Sequence, residues 1–75
     1  MGNYRIDNDF LKTFGSNLRK IRMEKGLTQE ELAHKANMTF PQIGRLERGE
    51  INSGLSIISD LAKALEVEPK KLFDF

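Results

Sequence analysis

Two threonines set the frame of this chain. Thr28 is followed by Gln-Glu-Glu31 and Thr39 by Phe-Pro-Gln42. Both fit the spacing in which a threonine side chain caps the N–H three residues on, while the Glu or Gln reaches back. Helix starts this close leave room for only a short helix between them, over about 29–35, and a link at 37–39. Asn37 suits such a turn, because asparagine tolerates the left-handed conformation. Helices joined this tightly form a helix-turn-helix arrangement.

Helical periodicity continues on both sides. Phe10, Phe14, Leu18 and Ile21 step by four, four and three, predicting a helix over about 9–25 with one apolar face. Gly26 ends it in a left-handed cap. Leu32 and Ala36 supply the inner face of the second helix. In MTFPQIGRLERG, residues 38–49, Ile43 and Leu46 are three apart and Gly49 stops the segment, which reads as a third helix over about 40–48. Pro41 costs little there, since early N–H groups have no intrahelical partner. A proline disfavours helical backbone in the residue before it, so the cap falls at Thr39 or at Phe40. Gly44 costs about 1 kcal/mol relative to Ala, a cost that close approach to a partner would offset. Ser56 is expected to cap a fourth helix with Ile58, Leu61, Ala62 and Leu65 inward, and Pro69 to start a short fifth carrying Leu72 and Phe73. No run alternates apolar and polar residues for long, so strands are not expected. The expected fold is all-α, five helices over 9–75 behind an N-terminal arm at 1–8.

A chain of 75 residues makes one small domain, and domains of this size bury little of their surface. With no cysteine, helix packing or a second copy must supply the stability. MGNYRIDNDF carries Asp7 and Asp9 and lacks the apolar run of a signal peptide. INSGLSIIS is too short to span a bilayer. The expectation is a cytoplasmic protein with no membrane partner. The net charge of +1 gives no global footprint for nucleic acid, so any such surface must be local. His34 is the one histidine, with no nucleophile, base or second ligand beside it. No catalysis, metal or cofactor is expected.

LRKIRMEKGLTQEELAHKANMTFPQIGRLERGE resembles the DNA-binding domain of the lambdoid phage repressor and Cro family, the xenobiotic-response-element type. The matching elements are R-x-x-x-G-L-T-Q-x-E-L-A at 22–33, I-x-x-L-E-R-G at 43–49 and L-A-K-A-L-E-V at 61–67. They fall in order within roughly 14–73. The short chain also resembles the controller proteins of restriction–modification systems. The resemblance implies a lambda-repressor-like fold that regulates transcription, with the third helix in the major groove of double-stranded DNA.

That helix would turn Phe40, Pro41, Gly44, Arg45 and Arg48 toward the DNA, opposite Ile43 and Leu46. Arg45 is the expected base reader, since a guanidinium can bond guanine O6 and N7 together; without the family it would read as a solvated arginine. Phe40, where the family often carries a polar reader, either packs on a thymine methyl or closes the helix-turn-helix core. Pro41 and Gly44 complete the base-facing set. By resemblance Gln29 holds a backbone phosphate at a helix N-terminus. Thr39 is a cap first and a phosphate ligand second. Arg48, Asn52, Ser53 and Arg19 are the further phosphate candidates. The family pattern pairs Arg22 with Glu47 in a structural salt bridge.

One such helix reads only a few base pairs. Two copies about a two-fold axis reach successive major grooves about 34 Å apart, which implies a homodimer on a near-palindromic site. Ile57, Val67, Leu72, Phe73 and Phe75 offer apolar surface for it, unless Leu72 and Phe73 cap the monomer's own core. The rival reading is a protein-interaction module of the same fold, an antitoxin or an adaptor. A toxin-binding tail would extend past the core, and little chain follows Phe73; no toxin or other protein partner is indicated.

Overall fold

The computed structural model describes residues 7–75. Four α-helices follow in order: α1 (Asn8–Glu24), α2 (Gln29–Lys35), α3 (Phe40–Glu47) and α4 (Leu55–Leu65). The expected fifth α-helix is a 3-10 turn, Pro69–Phe73, and no strand occurs among the described residues. Of the expected N-terminal arm, residues 1–6 lie outside the described set. Asp7 is the N-cap of α1, accepting from the Phe10 N–H at 3.0 Å. No helix is long and apolar enough to cross a membrane.

Both threonine boxes form in full. Thr28 Oγ1 accepts from the Glu31 N–H at 3.0 Å, and Glu31 Oε1 accepts from the Thr28 N–H at 2.8 Å. Thr39 Oγ1 accepts from Gln42 at 3.3 Å, and Gln42 Oε1 accepts from Thr39 at 2.9 Å. Thr39, not Phe40, is therefore the cap. The Ser56 expectation fails: α4 begins at Leu55 behind Gly54, which has no side chain to cap it.

All four α-helices stop the same way. A residue with positive φ (Gly26, Asn37, Gly49 or Glu66) turns the chain. The next N–H then bonds back to a carbonyl in the last turn: Leu27 to Arg22 at 3.1 Å, Met38 to Ala33 at 2.9 Å, Glu50 to Arg45 at 2.9 Å and Val67 to Ala62 at 3.0 Å. This is the Schellman pattern, in which the residue after the left-handed one commonly makes an apolar contact. Leu27, Met38 and Val67 do so, packing on the core; Glu50 does not. Left-handed backbone costs a non-glycine residue roughly 1–2 kcal/mol, so Glu66 was not an expected stop.

The core is formed by Phe14, Leu18 and Ile21 of α1, Leu32 and Ala33 of α2, Ile43 and Leu46 of α3, and Leu61, Ala62 and Leu65 of α4, closed by Ala36 and Leu72. Phe10, expected on the inner face of α1, is instead 46% exposed. It is stacked on Phe73 with ring centroids 6.4 Å apart. The 3-10 turn is tied to α1 by Asn17, whose Nδ2 donates to the carbonyls of Lys71 (3.0 Å) and Leu72 (2.9 Å).

Candidate nucleic-acid interface

The position of α3 is set by α1 and α2. A Cβ on Gly15 of α1 would lie under 3.0 Å from the backbone carbonyls of Leu46 and Glu47. Only glycine lets the two backbones meet there. A Cβ on Gly49, at φ 71°, would likewise lie under 3.0 Å from the backbone of Lys12. Arg22 then donates from Nε to Glu47 Oε2 at 2.6 Å, from Nη2 to Oε1 at 3.1 Å, and from Nη1 to the Leu27 carbonyl at 2.8 Å. Gln29 Nε2 donates to the same Glu47 Oε1 at 2.9 Å. The Glu47 side chain is only 3% exposed, and a charge so buried needs partners. One carboxylate on α3 thus holds α1 through Arg22 and α2 through Gln29.

With Ile43 and Leu46 buried, α3 presents Phe40, Pro41, Arg45 and Arg48 to solvent. An α-helix with its side chains is about 10–12 Å across, and the major groove, about 12 Å wide, admits one. Phe40 is 51% exposed, so it does not close the helix-turn-helix core. Gly44, expected on the open face, is buried. Arg48 folds back across it, with Nη1 3.0 Å from where a Gly44 Cβ would stand. Arg48 is itself gripped by Glu50, Nε to Oε2 at 2.7 Å and Nη2 to Oε1 at 3.3 Å. This hydrogen-bonded ion pair raises the Arg48 pKa and lowers that of Glu50, with Arg45 adding to the second effect.

Three of the phosphate candidates come together. Arg19, Gln29 and Arg48 line one groove with Thr28, Glu30 and Phe40, over the Arg22–Glu47 pair. Thr39 is exposed at the start of α3 with its hydroxyl engaged in the cap. Asn52 and Ser53 sit apart from that groove, at an apolar cleft beside Phe10, Leu55 and Phe73.

A helix-turn-helix family model matches residues 18–72 of this sequence. The chain belongs to that helix-turn-helix family. It is 39% identical over 71 residues to control protein C.BamHI of Bacillus amyloliquefaciens, a match covering 93% of this chain and 88% of that protein. The immunity repressor protein of Bacillus phage phi105 is 38% identical over 56 residues, 75% of this chain and 39% of the repressor. The restriction–modification controller protein C.AhdI from Aeromonas hydrophila superposes with a TM-score of 0.86 at 42% identity, covering 88% of this chain and 96% of that one. These relatives are regulators rather than enzymes, and the chain is a DNA-binding helix-turn-helix regulator of the same family.

As a member of this family, the chain divides the residues expected at a dimer interface into two groups. Leu72 is fully buried in the monomer core, which corrects its assignment to an outer surface, and Val67 and Ile57 pack partly against that core. Phe73 and Phe75 remain 41% and 54% exposed. The most exposed of the large apolar side chains, Leu55 at 84%, was missed because the expected Ser56 cap left it outside a helix. Gly15 was also missed, although a glycine inside an amphipathic pattern is itself a signal of close packing.

Proposed function

We propose that the chain acts in the cytoplasm as a homodimeric, sequence-specific transcription regulator, reading a near-palindromic operator with α3 in the major groove. The observation that supports this most is the rigid seat of α3. Gly15, Gly49 and the Arg22–Glu47–Gln29 network fix the helix while its Phe40, Pro41 and Arg45 edge stays open. Arg45 is the base reader. Phe40 and Pro41 supply apolar contact for thymine methyl groups. Arg19 and Gln29 hold phosphate at the neighbouring groove, and Gln29 keeps one amide N–H for phosphate after giving the other to Glu47. Asn52, Ser53 and the N-terminus of α3 at Thr39 extend the backbone contacts. The exposed side chains of Leu55, Phe73 and Phe75, together with the partly buried Ile57, form the contact between copies. The controller-protein relatives support a role beside a restriction–modification system.

Selection of bound duplexes from a random pool tests the reading. The expected product is a palindrome whose half-sites lie about one helical turn, about 34 Å, apart. Recovery of an unenriched pool would overturn it. In the same selection Arg45→Ala is expected to relax one base position in each half-site, a loss of roughly 1–3 kcal/mol of discrimination. An unchanged motif would remove Arg45 from base reading.

A further inference from the structure

The end of α3 breaks a rule that the other three α-helices keep. Each helix closes with a backbone bond from the residue after its left-handed stop. In α1, α2 and α4 that residue is Leu27, Met38 or Val67, packed on the core. In α3 it is Glu50, exposed. A carboxylate there faces the negative end of the helix dipole and stands at the rim of a surface that has to meet phosphate. It serves neither packing nor the helix end. What it does is grip Arg48 at two points, 2.7 and 3.3 Å. The Glu50 N–H bond to the Arg45 carbonyl, at 2.9 Å, fixes the backbone from which it reaches. Gly44 leaves the bare surface over which the guanidinium lies.

We propose that Glu50 sets the sequence-independent affinity of the protein for DNA by withholding Arg48 from backbone phosphate. The inference rests on the DNA-binding reading above. Non-specific affinity comes from cations that displace counterions from phosphate. Arg48 is one of the few cations beside the reading face, and Glu50 neutralises it in place. A backbone phosphate must compete with a bidentate carboxylate for that guanidinium. Arg45 lies near Glu50, and its guanidinium, which has no hydrogen-bond partner among the described residues, stays free for base edges. The arrangement lowers the affinity for every sequence alike and leaves the ratio between operator and other DNA unchanged, because a phosphate contact carries no sequence information. Gly44 thereby acquires a reason within the free protein: a side chain there would crowd Arg48 Nη1.

The test is the salt dependence of binding to a scrambled duplex and to the selected palindrome, with Glu50→Gln and the double variant Arg48→Ala/Glu50→Gln. Glu50→Gln should tighten binding to the scrambled duplex and steepen its log–log salt slope by about 0.9, the value for one added phosphate contact. Binding to the palindrome should tighten and its salt slope steepen by the same amount, leaving the preference between the two duplexes unchanged. In the double variant the slope should return to that of the wild type, because Arg48 is what Glu50 releases. If the steeper slope persists without Arg48, simple removal of a negative charge explains it, and the withholding of Arg48 is overturned. An unchanged slope in Glu50→Gln overturns it as well, while selection of a palindrome by the wild type would keep the DNA-binding reading standing. Circular dichroism checks that each variant is folded, and both substitutions lie at solvent-exposed residues.

Discussion

At the scale of single residues, two glycines with the same chemistry have opposite surroundings. Gly15 is enclosed by the carbonyls of Leu46 and Glu47, whereas Gly44 faces only the far end of the flexible Arg48 side chain. Backbone atoms cannot swing away as a guanidinium can. Gly15→Ala should therefore force α1 from α3 and cost about 3 kcal/mol, the upper end for overpacking. Gly44→Ala should displace Arg48 and approach neutrality, since the gain in helix propensity is about 1 kcal/mol. Urea unfolding of the two variants, side by side, measures the contrast; equal destabilisation would remove Gly15 as the point of close approach.

At the scale of elements, the helix starts and the seat of α3 respond to different perturbations. The Glu31 carboxyl is held below its ordinary range, first by the Thr28 N–H and then by the Thr28 side chain. A depressed folded pKa means stability that is present above the unfolded value and is lost as pH falls through the folded one. The α2 box should accordingly weaken below about pH 4.3, the ordinary glutamate value. Denaturation midpoints followed from pH 7 to acid should fall less steeply in Glu31→Gln, where an uncharged amide oxygen still accepts from Thr28; an identical acid dependence would count against the box as its source. The buried pair behaves otherwise. Arg22→Ala strands Glu47 with Gln29 as its remaining partner and should cost roughly 3–5 kcal/mol. Replacing both members, as Arg22→Met with Glu47→Leu, should recover most of that in urea melts while freeing Gln29 from its anchor. Failure of the double variant to recover would show that the pair does more than satisfy its own charges.

At the scale of the whole molecule, four exposed apolar side chains, Phe10, Leu55, Phe73 and Phe75, gather near the start of α4 and the 3-10 turn. Leu55 stands open, and Phe10 stacks with Phe73 and lies against Phe75, with ring centroids 5.6 Å apart in the second pair. Phe14 reaches the same cluster from the core, 5.1 Å from Phe73. This surface is the one proposed to join two copies. Leu55→Glu should leave helicity unchanged and shift sedimentation equilibrium toward monomer. DNA binding should then lose the avidity of two half-sites while each half-site keeps its base preference. A variant that sediments as the wild type does would place the interface elsewhere.

Much of the architecture was legible in local chemistry. Thr28-x-x-Glu31 and Thr39-x-x-Gln42 announce helix starts, and Gly26, Asn37 and Gly49 announce stops, because caps and left-handed turns depend on a residue and its near neighbours. The apolar steps of Leu18 and Ile21, and of Ile43 and Leu46, depend only on helical period. The Arg22–Glu47 pair came from family resemblance rather than from spacing. What the sequence could not supply was any distance between elements. That Gly15 touches α3, that Asn17 holds the 3-10 turn, that Gln29 shares Glu47 with Arg22, and that Leu72 lies inward while Leu55 lies outward all follow from how whole helices cross. The bare look of Gly44 is the clearest case. Its neighbours in sequence suggest an open gap on the reading face, and the fold fills that gap with Arg48, held there by Glu50. A helix start is decided within one turn of chain. Which side chain covers which surface is decided by packing contacts between residues far apart in sequence, and only the tertiary structure brings those together.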